Sequence, residues 1–253
     1  MGQDKKIVAT IEARMNSTRL PGKVLMEING IAALKCQIVR LQQSSLINEI
    51  VIATTTNQSD DLIEDFSNSI GCKVFRGEED DVMRRILLAS ESVDADIQVQ
   101  LTGDCPLVDP IIIDNLLRIF IEDKQYDLIS NAIERSYPIG LDCRIFHVAS
   151  LKKAERLCFD PIHRIHGSTF LYADENQDLF KTKNFQSPKS LFYPGWRWTL
   201  DTIEDFHFLE KVFTFFGDDI FLVSSQEIAD YLNSNPEILQ LNMGVRQKTI
   251  EEG

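Results

Sequence analysis

Short β-branched segments alternate with amphipathic segments through the first 130 residues, and this alternation constrains the fold more than any other feature of the sequence. Strands are predicted over residues 7–11, 49–54, 73–75, 97–101 and 126–130. Helices are predicted over residues 32–41, 60–70 and 80–93, and a further helix opens at Asp109-Pro110. Strands separated by helices pair in parallel through right-handed crossovers. The chain is therefore predicted to form a three-layer α/β fold, in which a mostly parallel sheet has helices on both faces.

The second half of the chain shows less regular patterns. Strands are predicted over residues 143–148 and 196–200, and helices over residues 161–173 and 203–216. No segment rich in Pro, Gly and Ser is long enough to link two domains. Because 43% of the 253 residues are hydrophobic, the chain can bury one sizeable core. We predict a single domain over residues 1–253 that ends in a polar, frayed tail over residues 242–253.

The charge balance, the length of the apolar runs and the cysteine spacing indicate where the protein acts and which partners it lacks. The chain has 26 Lys and Arg against 39 Asp and Glu, a net charge of −13, which would repel a phosphate backbone. No apolar run approaches the roughly 18–20 residues that span a bilayer, and the first residues do not resemble a signal peptide. The five cysteines are widely spaced and include no CxxC pair, which favours reduced thiols. We therefore expect a cytoplasmic protein with no nucleic-acid or membrane partner.

The loop after the first strand is the strongest functional signal. Residues 13–26 read ARMNSTRLPGKVLM and contain Arg14, Arg19 and Lys23 but no acidic residue. Gly22 allows close approach of the backbone, and free main-chain N–H groups at a strand end can hold an anion. Neither GxxxxGK[ST] nor GxGxxG is present. This pattern favours a triphosphate site, and a solvated basic loop is the alternative.

Two aspartates follow predicted strands in the other motifs. Asp104 lies in LTGDCP, residues 101–106, and Asp201 lies in RWTLDT, residues 197–202. Two carboxylates from separate strand ends could hold one Mg²⁺ or Mn²⁺, which bridges to substrate phosphates. An aspartate after a strand is also common as a helix cap or turn residue, so each one alone is weak support.

Together the motifs resemble the spore coat polysaccharide biosynthesis protein F family. They are ARMNSTRLPGKVL at residues 13–25, IVIATTTN at 50–57, VFRGEEDDV at 74–82, LTGDCPLVDP at 101–110 and RWTLDT at 197–202. That family is related to the cytidylyltransferases that activate 3-deoxy-manno-octulosonate and nonulosonic acids. The resemblance implies a Rossmann-like nucleotidyltransferase fold, use of CTP and Mg²⁺, release of pyrophosphate and a homodimer. It also places acceptor-pocket and dimerisation elements in about residues 131–200.

The resemblance further assigns roles to individual residues. The catalytic residues are expected to be Arg14, Lys23, Asp104 and Asp201, and the metal ligands Asp104 and Asp201. The nucleotide-binding residues are expected to be Ala13, Arg14, Arg19, Lys23, Thr54, Arg76, Thr102, Gly103 and Asp104. The acceptor-binding residues are expected to be Tyr137, Asp142, Arg144, Arg164 and His166.

The sequence departs from the family pattern where the acceptor is expected to bind. Residues 137–144 read YPIGLDCR where many relatives read YPDGLDVE, so two acids are replaced by Ile139 and Arg144. With Arg164 and His166 retained, this change favours an acceptor that carries a carboxylate or phosphate. The alternative is that Arg144 lies on an outer strand face. The predicted activity is CMP transfer from CTP to a small anionic acceptor for surface-glycan synthesis. Another nucleotide, a phosphorylated acceptor, or a non-catalytic nucleotide-sugar-binding protein remain alternatives.

Overall fold

The computed structural model describes residues 5–249, in which nine strands and ten α-helices alternate. The strands are β1 Ile7–Glu12, β2 Glu27–Ile28, β3 Ile31–Ala32, β4 Glu49–Thr55, β5 Lys73–Gly77, β6 Ile97–Thr102, β7 Leu128–Ser130, β8 Arg144–His147 and β9 Thr182–Asn184. The helices are α1 Ala33–Leu41, α2 Asp61–Ser69, α3 Val82–Glu91, α4 Pro110–Glu122, α5 Val148–Leu157, α6 Pro161–Ile165, α7 Thr169–Tyr172, α8 Ile203–Phe216, α9 Ser225–Ser234 and α10 Pro236–Leu239. Short 3-10 turns connect several of them.

Seven strands form one sheet in the order β5-β4-β1-β6-β8-β7-β9. Strands β5, β4, β1 and β6 are parallel, whereas β8 is antiparallel to both β6 and β7. The chain leaves β1 toward β4 and β5, then crosses back to place β6 on the other side of β1. Ligands of open α/β sheets bind at such a change of direction, outside the carboxyl ends of the strands. The register pairs Glu12 with Thr102 at this edge.

Helices cover both faces of the sheet, as the sequence predicts. Side chains that point to one face, such as Ala9 and Ile11, pack with α1, α4, α8 and α9. Side chains that point to the other face, such as Val8, pack with α3 and α5. The predicted mostly parallel, three-layer α/β fold is confirmed. No helix within residues 5–249 is long and apolar enough to cross a membrane.

Two elements of the second half differ from the prediction. The helix predicted over 161–173 is divided into α6 and α7 at Gly167, where φ is +68° and an added Cβ would lie 2.4 Å from the Gln100 amide nitrogen. The strand predicted over 196–200 is wrong, because this segment joins no sheet and makes only an isolated bridge between Ile139 and Arg197. The segment instead crosses the carboxyl edge of the sheet, where the Leu200 N–H donates to the Asp104 carbonyl.

The described part of the predicted frayed tail, residues 242–249, contacts the rest of the protein. Asn242 is buried, and its side-chain amide donates to the Arg197 carbonyl and to the Asp205 carboxylate, both at 2.9 Å. Residues 250–253 of the predicted tail lie outside the described residues. The five cysteines are all buried free thiols.

Candidate active site

The basic loop after β1 is held in a compact form by its own backbone and by Asp60, the residue before α2. Gly22, at φ +73°, donates its N–H to the Met15 carbonyl at 2.9 Å. The Met15 N–H donates to the Asp60 carboxylate at 2.8 Å. Across the sheet edge, the Gly103 N–H donates to the Glu12 carbonyl at 2.7 Å. These bonds bring the basic loop and the loop after β6 to the same place.

Lys23 joins the two strand-end aspartates. Its Nζ donates to Asp104 Oδ2 at 2.6 Å and to Asp201 Oδ1 at 2.7 Å. Burial raises the pKa of Asp104, but attraction and hydrogen bonding to the Lys23 ammonium outweigh this and hold that pKa well below its usual range. Burial lowers the pKa of Lys23, yet the two carboxylates raise it overall. Lys23 and Asp104 are therefore both charged around neutral pH.

Asp201 is further held by a buried pair formed by Arg197 and Asp205. Arg197 Nη2 donates to Asp201 Oδ2 and to Asp205 Oδ2, each at 3.1 Å. Asp205, which is fully buried, also accepts from the backbone N–H groups of Asp201 at 3.0 Å and Thr202 at 3.1 Å. Thr202 and Asp205 form the capping box that starts α8. The start of α8 thus orients the Asp201 carboxylate.

Two adjoining cavities open over this group of charges. The first has a volume of about 290 Å³ and is lined by the basic loop, by Arg85 and by the loop after β6. The second has a volume of about 420 Å³ and extends over β8 toward Arg135 and Tyr172. Residues that line both cavities are Glu12, Arg19, Thr102, Asp104, Ile165, His166, Asp201 and Lys248. The arrangement can hold two ligands that meet beside Asp104 and Asp201.

Comparison with known proteins identifies the family. A family model described as cytidylyltransferase matches residues 8–190. The chain belongs to the cytidylyltransferase family. It is also 31% identical over 237 residues to the spore coat polysaccharide biosynthesis protein SpsF of Bacillus subtilis, with 91% of this chain and 95% of the relative covered. The resemblance predicted from the motifs is confirmed.

Solved structures show the same cytidylyltransferase fold. A cytidylyltransferase from Leptospira borgpetersenii has a TM-score of 0.87 and 31% identity, and the match covers 97% of this chain and 99% of that one. A CMP-2-keto-3-deoxy-manno-octonic acid synthetase complexed with CTP has a TM-score of 0.62 and 20% identity, covering 85% of this chain and 99% of that one. The predicted nucleotidyltransferase fold is confirmed.

Most residues predicted to bind the nucleotide lie together in this cytidylyltransferase. The first cavity is lined by Arg14, Arg19, Lys23, Thr102, Gly103, Asp104 and Asp201. Ala13 is buried at the start of the loop without lining the cavity. Thr54 is buried outside both cavities. Arg76 also lies outside them, where it pairs with Asp61 at 2.6 Å and Glu64 at 2.7 Å.

The residues predicted to bind the acceptor divide into two groups. Asp142, Arg144 and His166 line the second cavity, so Arg144 is not on an outer strand face. Arg144 lies over the Tyr172 ring, and its Nε is buried without a hydrogen-bond partner among residues 5–249. Tyr137 and Arg164 do not line either cavity. The Arg164 guanidinium donates to the Asp81 carboxylate at 2.9 Å and is fastened beside α3.

Sequence reasoning missed several residues that line the cytidylyltransferase cavities. Glu12 ends β1 and lines both cavities; burial raises its pKa, although the Gln100 amide donates to it. A carboxylate at a strand end next to the basic motif was a usable signal for Glu12. Arg85 comes from the middle of α3 and Lys248 from the polar tail, and no motif marks either position.

The donor set of Asp104 and Asp201 suits a hard divalent cation. Each carboxylate places one oxygen within 2.7 Å of the Lys23 ammonium, so both already face a common position favourable to positive charge. Within residues 5–249, no group of three or more His, Cys, Asp or Glu side chains could hold a metal. Two carboxylates fit Mg²⁺, which keeps several waters and takes its other ligands from substrate phosphates.

Proposed function

We propose that this cytidylyltransferase transfers CMP from CTP to a small anionic acceptor and releases pyrophosphate. The observation that carries the proposal is the meeting of two cavities beside Asp104 and Asp201. The first cavity, with three cations of the basic loop, suits the triphosphate. The second, of about 420 Å³, has a volume suited to a small sugar acid.

In the proposed reaction an acceptor hydroxyl oxygen attacks the α-phosphorus of CTP. The new bond joins that oxygen to the α-phosphorus, and the bond from the α-phosphorus to the oxygen bridging toward the β-phosphate breaks. Pyrophosphate leaves with that electron pair, and the hydroxyl proton passes to solvent. Arg14, Arg19 and Lys23 bind and orient the phosphates, whose charge increases on the leaving group.

Asp104 and Asp201 would hold Mg²⁺ or Mn²⁺ at the junction. When bound, the metal supplies charge neutralisation for the phosphate oxygens and polarises them as a Lewis acid. Arg197 and Asp205 keep the Asp201 carboxylate directed toward the site. Divalent-ion binding can be measured by thermal unfolding, without turnover. Mg²⁺ should raise the melting temperature of the parent protein more than that of Asp201→Asn.

The acceptor is proposed to carry its negative charge near Arg144. Arg144 lines the second cavity, where its guanidinium offers positive charge to an acceptor carboxylate. The name of the Bacillus subtilis relative supports a role in surface polysaccharide or glycan biosynthesis. The homodimer and the cytoplasmic location remain predictions.

The deciding experiment measures pyrophosphate release from each of the four NTPs. Acceptors should include 3-deoxy-manno-octulosonate, nonulosonic acids, their neutral amide analogues and sugar phosphates, with Mg²⁺ and with chelator. We expect release with CTP and a sugar acid, dependent on the metal. Preference for another NTP or for neutral acceptors would contradict the proposal, and turnover of sugar phosphates alone would contradict attack by an acceptor hydroxyl. Nucleotide binding without turnover across the panel would indicate a non-catalytic protein.

A further inference from the structure

The C-terminal segment returns to the junction of the two cavities after α10. Arg197 Nη1 donates to Gln247 Oε1 at 2.6 Å, and the Asn242 amide donates to the Arg197 carbonyl and to Asp205. The same Arg197–Asp205 pair that holds Asp201 therefore also anchors the segment that carries Lys248. This part of the chain lies outside residues 8–190, which the family model matches.

Lys248 differs from the cations of the basic loop in having no acidic partner among the residues that the structure describes. Arg14 pairs with Glu79 at 3.2 Å, Arg19 with Asp201 at 2.9 Å, and Lys23 with both strand-end aspartates. Lys248 lines both cavities, yet within residues 5–249 it forms neither a hydrogen bond nor an ion pair. A lysine ammonium carries three donors, so this one can contact a ligand without first leaving any carboxylate of the described residues.

We propose that Lys248 is a catalytic residue that contacts the transferring phosphate at the junction of the cavities. The inference rests on the proposed function, because the α-phosphorus must lie where the nucleotide and acceptor cavities meet. Negative charge grows on the phosphate oxygens as the acceptor oxygen approaches and pyrophosphate departs. A cation beside the place where this charge grows stabilises the charge more in the transition state than in the bound substrate.

Through Lys248, the C-terminal segment contributes to the site itself. The segment supplies one cation to the site and is fastened by groups that orient a proposed metal ligand. Binding of both substrates beside Lys248 would supply negative charge to a cation that has no acidic partner in the described part of the chain. The segment is therefore part of the catalytic site.

The test compares Lys248→Ala and Lys248→Arg with Lys211→Ala. Lys211 is an exposed lysine on α8 that lines neither cavity, so its loss controls for the change in net charge. Steady-state kinetics of pyrophosphate release, with CTP and acceptor varied separately, should show a fall in kcat of about tenfold to a hundredfold for Lys248→Ala. Lys248→Arg should recover part of that loss, and Lys211→Ala should stay within about twofold of the parent.

Calorimetry of CTP binding supplies a readout that does not depend on turnover. We expect the CTP dissociation constant of Lys248→Ala to change less than its kcat, because the effect belongs to the transition state. Parent-like kcat in Lys248→Ala would overturn the inference. A loss of CTP affinity with unchanged kcat would also overturn it, by making Lys248 a ground-state binding residue. If the parent protein itself releases no pyrophosphate, the proposed function fails, and this result is separate from any difference between the variants.

Discussion

The substitution Lys23→Met removes the ammonium between Asp104 and Asp201 and keeps an unbranched side chain of similar length. The exposed fractions of the Lys23, Asp104 and Asp201 side chains are 12%, 20% and 8%, so both ion pairs are largely shielded from water. Removing one partner of a buried pair costs about 3–5 kcal/mol because a charge is left without compensation. Since these groups keep some contact with solvent, we expect the free energy of unfolding at pH 7 to fall by about 2–4 kcal/mol.

The loss should depend on pH in a defined direction. In the parent protein the pKa of Asp104 is depressed, so its stabilising contribution is present above the unfolded pKa of about 4 and is lost as pH falls through the folded pKa. In Lys23→Met the ammonium that opposed the effect of burial is absent, so burial should raise the pKa of Asp104. Protonation then relieves the destabilisation as pH falls through that raised pKa. The difference between variant and parent should therefore shrink from pH 7 to pH 4.

Urea unfolding of both proteins at pH 7 and pH 4 measures this difference. Lys73→Met is the matched control, because Lys73 pairs with Glu49 at 2.5 Å but its side chain is 60% exposed. The control should lose less than about 1 kcal/mol. The reasoning is refuted if Lys23→Met loses no more stability than Lys73→Met at pH 7. A Lys23→Met deficit that is the same at both pH values would also refute it.

Three further substitutions test the site. Asp201→Asn should lower pyrophosphate release by about a hundredfold or more at fixed Mg²⁺, because the site loses a carboxylate directed at the metal position; near-parent activity at low Mg²⁺ would exclude Asp201 as a ligand. Arg144→Glu should raise the acceptor KM by about thirtyfold, the equivalent of roughly 2 kcal/mol, and leave the KM for CTP unchanged; parent-like kinetics with every acceptor used would remove Arg144 from the acceptor site. Gly103→Ala should destabilise the protein by about 1–3 kcal/mol in thermal unfolding, because the added Cβ would lie 2.9 Å from the Glu12 carbonyl oxygen. Gly195→Ala, with nothing within 4 Å of an added Cβ, is its control, and equal melting temperatures would show that the two loops can separate.

The first half of the fold could be predicted because local pattern and tertiary environment agree there. Strands β1, β4 and β6 are β-branched runs buried in the sheet, and the helices that follow them bury one apolar face. The segment over residues 196–200 has an equally strand-like pattern but no neighbouring strand to pair with. Its extended backbone crosses the edge of the sheet and donates to the Asp104 carbonyl instead. Strand propensity means that the side chains of a segment fit a partly buried sheet surface. It does not supply the neighbouring strand with which the segment must hydrogen-bond.

The sequence by itself determined the α/β class, the family and the principal charged residues, because these depend on local periodicity and on motifs read directly from the chain. Only the tertiary structure decided which charges meet: Lys23 with Asp104 and Asp201, and Lys248 beside both cavities. The tertiary structure also showed that Arg144 lines a cavity, whereas Arg164 pairs with Asp81. Residues as distant along the chain as Lys23 and Asp201 become neighbours only through the order of the strands and the path of the loops. That order follows from burial of the whole sheet, and no local pattern contains it.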